Sequence, residues 1–108
     1  MTKVTYEPEE YHLRVEGHAG AIQENGEDLV CAAASALAWA LINAATEHNE
    51  YWPKIHIDRE KAVIDVRCSP EQTVRKACRY MFDIIAGGLA LMADKHPENI
   101  RIGGNHGN

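Results

Sequence analysis

The N-terminal part of the chain alternates between apolar and polar side chains, a period of two that is typical of β-strands with one buried face. Residues 3–7 and 11–16 show this alternation, and the chain turns between them at Pro8. We expect the apolar side chains of the second segment to face the core: Tyr11, Leu13 and Val15. We expect the alternate side chains to face water: His12, Arg14 and Glu16.

A long uncharged run between Asp28 and Glu47 predicts the first helix. Its eighteen residues read LVCAAASALAWALINAAT, and eight of them are alanine. The run is long enough to span a membrane, but alanine gains little from hydrocarbon, and Ser35 and Asn43 interrupt it. We therefore predict a buried helix of the domain core, capped by Asp28 and ending near residue 48 or 49, and no membrane partner.

The second helix is expected between Ser69 and Pro97. Serine as the cap, Pro70 in the first turn and a glutamine three residues after the cap form a helix-start pattern. Apolar residues then recur at helical spacing and predict one buried face: Val74, Ala77, Cys78, Met81, Ile84, Ile85, Gly88, Leu91 and Met92. Gly87 and Gly88 each weaken a helix by about 1 kcal/mol relative to alanine. Close packing against the alanine-rich helix would explain both glycines.

Two further strands are expected at residues 54–57 and 62–67, and a last strand at residues 99–102. The resulting order is ββαββαβ. It predicts an α+β domain in which two helices, one alanine-rich and buried, pack on an antiparallel or mixed sheet. We expect residues 1–108 to form one domain, with residues 103–108 as a mobile tail.

The composition narrows the class of function without identifying it. The formal net charge of −5 argues against nucleic-acid binding, because phosphate contacts require clustered lysine and arginine, and it suits a basic protein partner. The three cysteines show no CxxC spacing, which disfavours both a disulfide framework and a zinc site. Together with the absence of an apolar signal core in the first ten residues, this indicates the cytoplasm.

Cys31 is the strongest candidate for a catalytic side chain. If Asp28 caps the helix, Cys31 lies in its first turn, where the helix dipole and unpaired backbone N–H groups favour a thiolate. The same N–H groups would stabilise the oxyanion of a tetrahedral intermediate. A buried structural thiol is the alternative, because free cysteine is among the most buried residue types. We expect Cys68 and Cys78 to be of that structural kind.

His18 precedes Cys31 on a loop that contains Gly17 and Gly20. A histidine on such a loop is able to reach the helix start and accept a proton from a thiol, and a surface histidine without a role is the alternative. We expect the loop GHAGAIQENGE to be mobile without substrate. A zinc site would require two ligands beyond His18 and Cys31, and no candidate has ligand-like spacing: His12, His48, His56 or Cys68.

Two motifs in the chain resemble those of the ribosomal-processing cysteine protease family, called Prp. GHAG at residues 17–20 and EDLVCAAASAL at residues 27–37 match the family's GHA and D-[ILV]-V-C-A-x-x-S segments, in the same order and across a short glycine-containing loop. The closing NIRI is similar to the family's C-terminal strand. The resemblance implies a homodimeric α+β cysteine endopeptidase with His18 and Cys31 as its catalytic dyad, and with neither a metal nor an organic cofactor.

The resemblance also implies a substrate, a large-subunit bacterial ribosomal protein that loses a short N-terminal extension. A prophage-encoded relative that processes capsid or scaffold proteins is one alternative, and an inactive binding module on the same fold is another. Either alternative keeps the partner a protein, without nucleic acid.

The residues beside the dyad have open roles. Gly17 and Gly20 are supporting candidates that bracket the histidine. Asp28 would either cap the helix or orient the histidine, and Ser35 would either contact the site or hydrogen-bond back to a carbonyl of the preceding turn. Trp39 is expected in the core or on a dimer surface.

Overall fold

The computed structural model describes residues 1–17 and 27–104, with the backbone alone for Glu27 and Asp28. The helices and strands are, in chain order, β1 (Thr2–Glu7), β2 (His12–Glu16), α1 (Glu27–Thr46), β3 (Pro53–Asp58), β4 (Val63–Cys68), α2 (Arg75–Lys95) and β5 (Ile100–Gly103). This order confirms the predicted ββαββαβ α+β fold. The predicted loop after Gly17, with His18, Gly20 and the mobility expected of it, lies outside the described residues.

The five strands form one mixed sheet in the order β3-β4-β2-β1-β5. β1 pairs antiparallel with β2, β2 with β4 and β4 with β3, whereas β5 runs parallel to β1. In the centre of the sheet Leu13 lies opposite Tyr6 on one side and Val66 on the other, and all three side chains are buried. The apolar side chains thus line one face of the sheet, and both helices pack on that face.

Each helix contributes one buried stripe to the core. The stripe of α1 consists mainly of small residues at helical spacing: Val30, Ala34, Ala38, Leu41 and Ala45. The stripe of α2 carries larger side chains: Cys78, Phe82, Ala86 and Leu89. Because alanine has no side chain beyond Cβ, the backbone of α1 is able to lie close to the elements beneath it. Burial of these stripes on the apolar sheet face is the main stabilising interaction of the fold.

The opposite side of α1 is exposed. Leu29 on that side is 76% exposed. By length and composition alone, Leu29–Thr46 would suit a membrane-crossing helix, with a mean hydropathy of 1.7, and 28% of the segment is buried inside the protein. The predicted burial of the alanine-rich helix is therefore confined to one stripe, because a helix in a two-layer fold has the sheet on one side only.

The predicted buried face of α2 is wrong at three positions, because Ala77, Ile84 and Leu91 are exposed. Ile84 is 72% exposed and Leu91 is 64% exposed, whereas Phe82 and Leu89, which were not on the predicted face, are fully buried. Apolar residues occupy more than one side of this helix, so their spacing does not determine which side meets the sheet.

The two adjacent glycines of α2 have different surroundings. A Cβ atom at Gly88 would lie 3.3 Å from Leu37 Cδ1 of α1, so the predicted close helix packing explains this glycine. A Cβ atom at Gly87 would have no described residue within 4 Å. The same explanation is therefore wrong for Gly87, which faces open space.

The predicted start of α2 at Ser69 and Pro70 is wrong, because the α-helix begins six residues after the serine, at Arg75. The backbone N–H of Ser69 donates to the Tyr51 carbonyl at 3.0 Å, and that of Glu71 donates to the Glu50 carbonyl at 2.9 Å. These two bonds tie the segment to the connection between α1 and β3 and hold it extended. Tertiary hydrogen bonds therefore override the local helix-start pattern here.

The predicted tail is also shorter than expected. Gly103 belongs to β5, and Gly104 adopts a left-handed conformation with φ of +104°. A Cβ atom at Gly104 would lie 2.5 Å from the Tyr6 carbonyl oxygen, so glycine permits the chain to pass close to β1. Residues 105–108, the rest of the predicted tail, lie outside the described residues.

His12 does not face water as predicted. It is 7% exposed on the sheet face away from the helices, with Nδ1 2.7 Å from Glu7 Oε1 and Nε2 2.9 Å from Asp65 Oδ2. Arg14 Nη1 donates to the same Asp65 oxygen at 3.2 Å. Burial by itself raises the pKa of Asp65, but its contacts with His12 and Arg14 outweigh burial and hold that pKa below its ordinary value.

A buried tyrosine links β1 to α2. The ring of Tyr6 stacks on Phe82, with centroids 6.4 Å apart and planes 5° from parallel, and its hydroxyl donates to the Asp83 carboxylate. Burial and this hydrogen bond together raise the pKa of Tyr6 above its usual value. Arg79 Nε donates to the same carboxylate oxygen at 3.2 Å, so the link continues to the outer side of α2.

Tyr6→Phe is expected to lower the free energy of unfolding by about 2 kcal/mol at neutral pH, because the buried hydrogen bond is lost while the ring stacking remains. The folded-state pKa lies above the unfolded-state value, so this contribution is complete below about pH 10 and is lost as the pH rises beyond it. Urea unfolding at pH 7 and pH 11 should show a smaller difference at the higher pH. Tyr80→Phe, at a position 58% exposed, is the matched control and should change little.

Candidate active site

The predicted nucleophile opens into a cleft of about 300 Å³ on the helix side of the sheet. Three parts of the fold meet there: the end of β2, the side of α1 from Cys31 to Trp39, and the β3–β4 hairpin with its turn. The residues that line the cleft are Val15, Gly17, Cys31, Ser35, Trp39, Ile57, Asp58, Arg59, Ala62, Val63 and Ile64. Because these residues come from elements distant in sequence, the cleft exists only in the folded chain.

Cys31 is the fifth residue of α1 and is partly exposed. The described part of α1 starts at Glu27, so Cys31 lies close to the N-terminal end of the described helix. The capping role of Asp28 stays a prediction. The side chain of Asp28 is outside the described part of the structure, so its alternative role beside His18 stays a prediction.

Gly17 approaches the sulfur of Cys31 very closely. A Cβ atom at residue 17 would lie 2.7 Å from Cys31 Sγ, well inside the normal contact distance. The backbone N–H of Gly17 donates to the Ala62 carbonyl at 2.8 Å, which fastens the end of β2 to the hairpin turn. A side chain at residue 17 would displace the thiol, so the glycine is needed for proximity to Cys31.

One row of side chains on α1 lines the cleft. Cys31, Ser35 and Trp39 are spaced four residues apart, and successive members therefore lie one above the other on the helix. This places Ser35 beside the predicted nucleophile. Trp39 is 45% exposed and belongs to the cleft, a position that the sequence analysis missed and that the four-residue spacing from Cys31 would have indicated.

The hairpin supplies the wall opposite α1. Ile57 of β3 and Ile64 of β4 face each other in the strand register and provide apolar surface, and Arg59 adds a cation at the turn. Asp58 Oδ1 accepts a hydrogen bond from the Lys61 N–H at 3.0 Å, and Ala62 adopts a left-handed conformation with φ of 54°. Nothing in the local sequence indicated that this turn lies next to Cys31.

The other two cysteines lie in the core, as predicted. Cys68 is 2% exposed and Cys78 is 0% exposed. The hydrogen bond with Cys78, together with burial, raises the pKa of Cys68 and keeps it a thiol. Neither sulfur is accessible to a peptide in the cleft.

Among residues 1–17 and 27–104, no group of three or more histidine, cysteine or acidic side chains is arranged to hold a metal ion. His12, one of the ligands considered above, has both ring nitrogens bonded to carboxylates. The structure thus brings Gly17, Cys31 and Ser35 together in one cleft. His18 and Gly20 lie outside the described residues, and their assignment stays a prediction.

Comparison with known families identifies the class of protein to which this cleft belongs. The sequence model of the family "Cysteine protease Prp" matches residues 1–101, nearly the whole chain. The chain belongs to this family. It is therefore a cysteine protease, a hydrolase of peptide bonds, as the two motifs around residues 18 and 31 implied.

Solved structures show the same fold. The ribosomal processing protease Prp from Staphylococcus aureus, crystallised with a substrate peptide, superposes with a TM-score of 0.78 at 23% identity and covers 96% of this chain and 97% of its own. The same enzyme with a covalently linked product peptide gives a TM-score of 0.72. A Streptococcus mutans protein gives 0.74 at 21% identity and covers 95% and 90% of the two chains. Curated protein sequences give no significant match.

Limiting iodoacetamide is expected to alkylate Cys31 at least about tenfold faster than the other two cysteines, because thiol reactivity requires access as well as ionisation. Cys31 opens into the cleft, whereas Cys68 and Cys78 are buried. Peptide mapping after brief labelling of the folded protein measures the ratio. Preferential labelling of either buried thiol would overturn the choice of nucleophile.

Gly17→Ala is expected to lower kcat/KM for peptide cleavage by about 100-fold, because a displacement of roughly 1 Å between reacting groups has effects of this size. The melting temperature should change little. Gly103→Ala is the matched control, since a Cβ atom there meets no described residue within 4 Å. If Gly17→Ala retained the wild-type kcat/KM, the close approach to Cys31 would have no part in catalysis.

Proposed function

We propose that this protease removes a short N-terminal extension from a large-subunit bacterial ribosomal protein, with Cys31 as the nucleophile and His18 as its base. The observation that carries the proposal is the position of Gly17, where an added Cβ atom would lie 2.7 Å from Cys31 Sγ at the open cleft. His18 follows Gly17 directly in the sequence. A histidine at that point is able to reach the thiol with its side chain.

The chemistry follows from these two groups. His18 accepts the Cys31 proton, and the sulfur attacks the scissile carbonyl carbon to form a tetrahedral intermediate. Backbone N–H groups near the start of α1 stabilise its oxyanion. The carbon–nitrogen bond then breaks as His18 returns the proton to the leaving amine. Water, deprotonated by His18, attacks the remaining thioester, which releases the carboxylic acid and restores the Cys31 thiol.

The cleft favours an extended peptide with an apolar residue near the cut. Its walls carry Val15, Trp39, Ile57 and Ile64, all apolar, on both sides of Cys31. The cleft, at about 300 Å³, is too small to admit a folded segment. The part of the substrate that is cut should therefore be unfolded and extended. The similar Staphylococcus aureus enzyme, a ribosomal processing protease with a bound substrate peptide, supports this choice of substrate class.

The negative net charge of the chain favours a basic protein as its substrate. The chain carries a formal net charge of −5, and ribosomal proteins are generally basic, so long-range attraction should speed encounter. This attraction is screened by salt, since the Debye length falls from about 10 Å at 0.1 M to about 3 Å at 1 M. The working form proposed is a homodimer in the cytoplasm.

Cys31→Ala and His18→Ala are each expected to lower kcat by about 1,000-fold or more while leaving the melting temperature nearly unchanged, because nucleophile and base act as one unit. His56→Ala, at an exposed position on β3, is the matched control and should keep full activity. Cleavage of the full-length host ribosomal protein, followed by mass spectrometry, gives both the rate and the site. Retention of most activity in His18→Ala would exclude His18 as the base.

A comparison of which proteins the enzyme cuts distinguishes ribosomal-protein processing from phage maturation. A single cut near the N-terminus of the ribosomal protein supports the proposal. If only capsid or scaffold proteins of a resident prophage are cut, the function is phage maturation. If a folded enzyme with a reactive Cys31 cuts neither, the proposed substrate class is wrong.

A further inference from the structure

One buried hydroxyl group, that of Thr2, has no hydrogen-bond partner in the described part of the chain. Thr2 is the first residue of β1 and is 0% exposed, and its Oγ1 bonds to no described residue. A buried polar atom without a partner costs free energy, so native proteins contain few of them. Valine has nearly the same shape and would fill this position without that cost. Core packing therefore does not account for the hydroxyl.

The Thr2 hydroxyl lies beside the proposed nucleophile. A Cβ atom added at Gly17 would lie 2.7 Å from Cys31 Sγ and 3.8 Å from Thr2 Oγ1. No other described atom outside the adjoining residues lies within 4 Å of that point. Because glycine has no side chain, the space next to the sulfur is also the space next to the hydroxyl. The start of β1, the end of β2 and the start of α1 thus bring these groups to one place.

The main chain holds Thr2 at this place independently of its side chain. Its N–H donates to the Asn99 carbonyl at 2.8 Å, and in the sheet it lies opposite Ile100 of β5. Side chains alternate between the two faces along a strand, and Thr2 shares the buried, helix-side face with Val4 and Tyr6. The hydroxyl is therefore not needed to position the strand, and it lies on the same side of the sheet as the cleft.

A second buried side-chain atom in the described chain also lacks a partner. It is Nδ2 of Asn99, the residue whose carbonyl anchors Thr2. No atom of Asn99 lies within 4 Å of the Cβ position at Gly17, however. Of the two unpaired groups, the threonine hydroxyl is the one placed next to the sulfur.

A hydroxyl beside a cysteine acts on the ionised form of that cysteine. A hydrogen bond donated to a charged group favours its charged form, and a threonine hydroxyl has one proton to donate. Thr2 is buried, so no bulk water competes for this proton. Two staggered rotamers of a cysteine place the sulfur about 3 Å apart, so a rotamer change at Cys31 is of the size needed to bring the two atoms into contact. Such a bond would also fix the direction in which the sulfur points.

We propose that Thr2 is a positioning residue of this protease, whose hydroxyl donates a hydrogen bond to the Cys31 thiolate and holds the sulfur in the orientation for attack. The inference deepens the proposed function, because it rests on Cys31 as the nucleophile. It does not depend on which protein is cut. Groups that are kept in a core at a cost to stability are typical of functional sites.

Thr2→Val removes the hydroxyl and keeps the shape of the side chain. The midpoint of the pH profile for Cys31 alkylation is expected to rise by about one pH unit, because a thiolate that has lost its donor forms only at lower proton concentration. Iodoacetamide labelling over a range of pH, followed by peptide mapping, measures this without any substrate. The value of kcat/KM for peptide cleavage should fall about tenfold, whereas the melting temperature should stay the same or rise. Thr2→Ser keeps the hydroxyl and should restore both the profile and kcat/KM.

Thr5→Val is the matched control, since Thr5 lies on the same strand with its side chain on the opposite face of the sheet. This variant should change neither the profile nor kcat/KM. The other titratable groups of the site are the same in every variant: Asp58 and Arg59, which line the cleft, and Asp28 and His18, which the sequence places beside it. A shifted profile therefore reports the hydroxyl.

A wild-type alkylation profile in the folded Thr2→Val variant would overturn the proposal, whatever the effect on cleavage. A Thr2→Ser variant that behaves like Thr2→Val would also overturn it. If valine prevents folding, Thr2→Ala compared with Thr2→Ser gives the same test. A shifted profile in an enzyme that cuts no ribosomal protein would leave the role of Thr2 intact and overturn the proposed substrate alone.

Discussion

The packing of α1 against the sheet is the interaction on which the rest of this structure depends. The helix meets its neighbours through Ala34, Ala38 and Ala45, each 0–1% exposed, so little side-chain volume separates the helix backbone from the layer beneath. Larger residues at these positions would lift α1 from the sheet. That displacement would move Cys31 away from Gly17, because the sulfur lies at the end of the helix where β2 finishes. The same small side chains therefore serve both the core and the cleft.

The candidate site follows from this packing and from two further constraints on the backbone. The end of β2 is fastened to the hairpin turn by the bond from Gly17 to Ala62, and the turn itself is closed by Asp58. Together these contacts set the width of the cleft between the hairpin and the Cys31–Ser35–Trp39 row. A protease needs its nucleophile held in a fixed position with an open approach for the peptide. The arrangement meets both needs at an edge of the helix layer.

The outer surface of the helix layer, unlike the packed side that faces the sheet, carries exposed apolar side chains. The buried stripe of α2 is well packed, yet the same helix carries Ile84 and Leu91 on its outside and a glycine between them with no neighbour among the described residues. The two adjacent glycines thus differ in their surroundings: Gly88 makes room for Leu37 within the chain, whereas a Cβ atom at Gly87 would meet no described residue within 4 Å.

The sequence by itself determined the element order, the alternation in β2, and the candidate nucleophile, because these depend on residue spacing and on short motifs. It also placed Cys68 and Cys78 in the core correctly. It failed at Ser69 and Pro70, where hydrogen bonds to distant carbonyls hold a helix-start pattern extended, and at His12, which two carboxylates from other strands cover. It also failed to show that Trp39 and the hairpin turn line the cleft, or which side of α2 is buried. Such features depend on sheet order and strand register, which bring residues far apart in the chain into contact, and no local period carries that information.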